Sequence, residues 1–129
     1  MRLAATEYDR FLVALKRLAP GDWTLATDCP AWDVRALATH VLGMADMAAS
    51  PFESRRQMRE ASKRGGVFVD ALTGLQVEER ADLDPVHILT QFSRSGPRAA
   101  KGLRRIPGLM RRRTMPPEQT DGIEPWTLG

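Results

Sequence analysis

The sequence predicts an all-α protein, an up-down helical bundle, and three observations carry that expectation. Apolar residues recur at helical spacing through long stretches, and no segment sustains the alternation of a half-buried strand. The breaks between stretches hold helix stop and start residues such as Pro20-Gly21 and Asp84-Pro85. At 129 residues the chain fits a single domain spanning 1–129, since domains usually hold ~100–200 residues.

The first helix is expected from about Leu3 to Leu18, where Tyr8, Phe11, Leu12, Leu15 and Leu18 share a face. Pro20-Gly21-Asp22 stops it. The loop from Asp22 to Trp32 holds Trp23, Trp32, Cys29 and Pro30, an apolar load expected to pack onto the bundle. A second helix follows from Asp33, whose carboxylate suits an N-cap, to about Ala49, closed by Ser50-Pro51. A third helical region spans about Glu53 to Glu79, with Gly65-Gly66 as its break or kink. The fourth opens at Asp84-Pro85, cap then proline, and reaches Arg104 or Arg105 before Pro107-Gly108. That makes three or four helices.

Composition narrows the function classes. No apolar run approaches the ~20 residues of a membrane-spanning helix. Arg2 and Glu7 interrupt the start too early for a signal-peptide core, so a cytoplasmic location is expected. One cysteine, Cys29, excludes an intrachain disulfide and fits a reducing compartment. It stands near a helix N-terminus, but Pro30 and the two tryptophans suggest a shielded, inert thiol. The net charge of +3 hides an asymmetry: residues 94–113 carry eight basic residues and no acid, while the remainder is net negative.

The two histidines differ. On a wheel of about 100° per residue, His40 lies at the edge of a stripe made by Leu37, Val41, Met44 and Ala48, opposite Arg35, Thr39 and Asp46. An imidazole there needs a partner, because an unpaired buried polar group costs about 1–3 kcal/mol. Two readings stay open at this point: a boundary histidine bonded to a carbonyl or carboxylate, or a metal ligand between facing helices. A metal site needs three or more ligands, and one histidine is not a site. His87 falls opposite Leu89, Phe92, Ala99 and Leu103 and should face water.

Asp22-Trp23, then Thr27-Asp28-Cys29-Pro30-Ala31-Trp32-Asp33-Val34-Arg35-Ala36-Leu37, then His40-Val41-Leu42-Gly43, form a pattern with a known likeness. It resembles the metal-binding N-terminal domain of mycothiol-dependent maleylpyruvate isomerases, in the wider DinB-like four-helix superfamily. The tight match covers about Asp22 to Gly43; elsewhere the similarity is one of layout. The resemblance implies a DinB-like bundle and a mycothiol-linked isomerase or thiol transferase acting on a small molecule. It implies a divalent metal, zinc first, with His40 at the position of the first ligand and mycothiol as thiol cosubstrate. Ala31 stands where the family has glycine, and Asp33 where it has threonine. The family's later acid-and-histidine pair would follow a segment like Glu124-Pro125-Trp126-Thr127-Leu128-Gly129, so an incomplete and inactive member is expected. Glu118, Asp121 and Glu124 do not have the spacing to replace that pair.

A different function class is also in view. Arg98, Lys101, Arg104 and Arg105 fall on one side of the fourth helix, and Arg111-Arg112-Arg113 extend the patch. That arrangement suits a non-enzymatic interaction module that binds an anionic partner through residues 94–113. Nucleic acid is disfavoured as the partner, because no aromatic residue interleaves the patch between Arg94 and Arg113 and no recognition-helix motif accompanies it. A third expectation is a homodimer in which a second copy covers the face of a missing helix.

Overall fold

The structure is a computed structural model that describes residues 2–107, save the side chain of Arg2. Among the described residues five α-helices follow one another: α1 (Arg2–Lys16), α2 (Val34–Ala49), α3 (Pro51–Arg64), α4 (Phe68–Glu78) and α5 (Pro85–Arg105). A 3-10 turn, Pro20–Thr24, sits between α1 and α2. No strand occurs among the described residues; one isolated bridge joins Ala26 to Asp33. The all-α expectation is met. Arg111, Arg112, Arg113, Glu118, Asp121 and Glu124 lie outside the described residues.

Helix boundaries follow cap chemistry. Asp33 accepts from Ala36 N at 2.8 Å and opens α2. Asp84 does the same for α5 with His87 N at 2.8 Å. Ser50 ends α2 and, through Oγ accepting from Glu53 N at 3.3 Å, also caps α3. Pro51 is therefore the first residue of α3, two positions earlier than the sequence suggests. The expected third region is two helices, because Gly65 and Gly66 both adopt positive φ, 71° and 73°, which ends α3 outright.

The core is built around α2. It packs against α5, α3 and α4, while α1 lies along α5. One apolar cluster joins Leu15, Trp23, Ala38 and Ile88; a second joins Leu42, Ala45, Phe92 and Ala99. Phe92 is met edge-on by Tyr8 at 5.9 Å and at a tilt by Phe11 at 5.3 Å between ring centroids. A Cβ on Gly102 would overlap the Ala48 carbonyl, so α5 crosses the end of α2 with backbones nearly touching.

The buried face of α2 differs from the wheel's stripe. Ala38, Thr39, Leu42, Gly43 and Ala45 are buried, whereas Met44 is 41% exposed. Small residues let α5 come close, and the polar groups on that side are paired. Thr39 Oγ1 donates to Ala36 O at 2.9 Å. The Arg35 guanidinium donates to Leu83 O at 2.8 and 3.0 Å and also to Ala81 O, tying the turn before α5 to the start of α2. Asp46 accepts from buried Arg80 at 2.8 Å and from Ser95 at 2.5 Å. Among the described residues no helix is long and apolar enough to cross a membrane.

Candidate functional site

His40 is half-buried, on the side of α2 that meets α4. Two contacts place its ring. Trp32, at the end of the loop before α2, stacks obliquely on it with centroids 5.3 Å apart and planes at 35°. Gln76 of α4 lies behind it, with Oε1 2.8 Å from His40 Nδ1. Burial pushes the imidazole pKa below its ordinary 6.5, against the opposing pull of that hydrogen bond. The ring is therefore neutral at neutral pH.

Behind His40 runs a polar chain through the interior. Gln76 Nε2 reaches Gln57 Oε1 at 2.9 Å and the sulfurs of Met44 and Met47 at 3.3 Å each. Gln57 Nε2 reaches Gly43 O at 3.3 Å and Glu53 Oε1 at 3.0 Å. Both glutamines are fully buried, with 0% exposure. Arg56 closes the chain by forking onto Glu53 at 2.7 and 2.9 Å and onto Glu79 at 2.8 Å. Gly43 makes room for this arrangement, since a Cβ there would stand 2.6 Å from Gln76 Cγ. No buried side-chain nitrogen or oxygen among the described residues lacks a partner.

The loop carrying Trp32 is tied from within. Thr27 Oγ1 donates to Trp32 O at 2.8 Å and accepts from Cys29 N at 3.1 Å. Val34 N donates to Leu25 O at 3.0 Å, which joins the loop's base to α2. Trp23 is buried and Trp32 half-buried, as expected of packing anchors. Cys29, in contrast, is exposed. The correction has a local cause: the turn pinned by Thr27 directs residues 28–31 outward, so the apolar load of the loop rests on Trp23 and Trp32 alone.

His87 is exposed and held by Asp84 Oδ1 at 2.8 Å, as its place on the wheel implied. Among the described residues, no group of three or more His, Cys, Asp or Glu side chains is arranged to hold a metal. The donor chemistry at His40 suits a metal, but the described residues supply that one donor and no centre. Arg94, Arg98, Lys101, Arg104 and Arg105 are all exposed, and none forms an ion pair with a described residue.

The residues that sequence reasoning missed are Gln57 and Gln76. The available signal was an amide set between two apolar residues, Leu75 and Val77, where an unpaired polar group is costly.

Comparison with curated proteins and with solved structures gave no significant match. The family described as the mycothiol maleylpyruvate isomerase N-terminal domain matches residues 4–128, which takes in the tryptophan-bearing loop, His40 and the amide chain behind it. The chain belongs to that family.

Proposed function

We propose that this domain is the metal-binding helical part of a mycothiol-linked isomerase or thiol transferase, in which His40 Nε2 supplies one donor to a divalent cation. Zinc is the first candidate ion. The reading is carried by one observation: His40 is half-buried, with Nδ1 2.8 Å from the interior amide oxygen of Gln76. Metal-binding imidazoles are oriented in that way by a partner on the other ring nitrogen. A cation bound there would lower the pKa of a coordinated thiol or polarise a carbonyl. The chain's own contribution is to hold the imidazole neutral, fix its plane against Trp32 and shield its inner edge from water. The remaining donors would come from outside the described residues. The small-molecule partners on this reading are mycothiol and its acceptor substrate, and the setting is the cytoplasm.

The test is a zinc titration by calorimetry on the 129-residue chain and on His40→Ala. Zinc binding that the substitution weakens at least tenfold is the expected result. Equal binding by both proteins would remove His40 from the site.

A second reading has its own observation. Arg94, Arg98, Lys101 and Arg105 stand at i, i+4, i+7 and i+11 on the exposed side of α5, which lines their charges on one edge. That edge suits an anionic partner and makes the domain a non-enzymatic interaction module.

A further inference from the structure

We infer that Gln76 is a positioning residue for His40: its side-chain carbonyl holds the imidazole as the Nδ1–H tautomer and leaves the lone pair on Nε2. The significance for metal binding rests on the proposed function, but the tautomer itself follows from the hydrogen-bond chain.

The chain is anchored at an end that only accepts. Gly43 O is a carbonyl, and the Glu53 carboxyl, held below its ordinary range by Arg56, is ionised. Neither donates a proton, so the nitrogen of Gln57 must be the atom 3.3 and 3.0 Å from them. Turning that amide over would set Oε1 against both acceptors. Gln57 Oε1 therefore faces Gln76 and can only accept, which turns the Gln76 nitrogen toward it at 2.9 Å. The remaining Gln76 N–H is directed at the sulfurs of Met44 and Met47. Gln76 Oε1 is left facing His40 Nδ1 at 2.8 Å, and a carbonyl there requires a proton on Nδ1. Because both glutamines are fully buried, no water stands ready to substitute for a misdirected group.

Neutral histidine in water prefers its proton on Nε2, so the interior chain reverses the intrinsic choice. The result is a lone pair on the ring edge away from the buried amide. The sequence supplies each part: Gln57 from α3, Gln76 from α4, and Gly43 on α2 to admit Gln76.

The experiment is nitrogen-15 NMR of the histidine rings at pH 8, on metal-free, chelator-treated protein. His87→Asn assigns the two rings. Wild type should show His40 with a protonated, pyrrole-like Nδ1 and an unprotonated, pyridine-like Nε2. Gln76→Leu, which carries no hydrogen-bonding atom at that position, should move most of the population to the Nε2–H form. Gln57→Leu, which leaves Gln76 in place but without its orienting acceptor, should give a mixture and serves if Gln76→Leu does not fold. An Nε2–H ring in wild type, or an unchanged tautomer in the folded variants, overturns the inference. The measurement uses no metal, so a failed zinc titration would leave it standing, and its failure would leave the zinc result to be judged separately.

Discussion

Arg56 holds two carboxylates at once, and its guanidinium draws both below the ordinary glutamate value of 4.5, chiefly by hydrogen bonding. As pH falls, the unfolded chain protonates these glutamates first, so the stability they contribute is complete above about 4.5 and is lost as pH drops through their lower folded values. The difference in urea midpoint between wild type and Arg56→Met should be widest near neutral pH and narrow below pH 4.5. A gap that stays constant with pH would assign Arg56 to packing alone. Residues of this kind are hard to see in the sequence. His40 is visible because periodicity puts it beside an apolar stripe and a family-like motif surrounds it. Gln57 and Gln76 are not, since their partners lie on other helices and an amide has no periodic mark. The wheel sets Arg35, Thr39 and Asp46 opposite the apolar stripe but cannot register that each is paired.

At the level of elements, capping residues carry most of what sequence reading can follow. Asp33 and Asp84 announce α2 and α5, and both starts fall within one residue of expectation. The glycine pair at 65–66 is visible as a break, but the sequence alone does not say whether such a pair kinks a helix or ends it. Ser50 hides its double role, since it ends one helix and caps the next without an intervening loop. The tight crossing of α5 over α2 depends on Gly102, which a periodicity argument passes over because glycine contributes no apolar side chain. Gly102→Ala should force α5 away from the Ala48 carbonyl and cost about 1–3 kcal/mol, as overpacking does. Gly21→Ala is the control: nothing lies within 4 Å of the added methyl. It should leave stability unchanged or raise it by up to about 1 kcal/mol through the unfolded chain. Equal effects of the two in urea unfolding would argue against the tight crossing.

Across the whole molecule, charge is distributed unevenly. The basic edge of α5 faces solvent, while the acids of α3 and α4 are largely spent on arginines of the same pair of helices, as with Arg64 and Glu78 at 2.8 Å. If the edge engages a polyanion, affinity for a short DNA duplex used as a probe should fall steeply with salt. Replacing Arg94 and Arg98 by alanine should flatten the salt slope by roughly 2, about one unit for each phosphate no longer neutralised. Binding indifferent to salt would exclude the edge as an electrostatic surface. The helical class of the molecule is readable from periodicity; which helices enclose which is not, because small residues and paired charges, rather than bulky apolar ones, line the tight crossing. One further property comes from the turn that Thr27 ties down. It leaves the molecule's single thiol, Cys29, open to solvent on the loop whose tryptophan leans on His40. A nitroxide attached to that sulfur would then have one address and no competing background. The broadening it imposes on nearby proton resonances would act as a ruler for any movement of the loop against the imidazole.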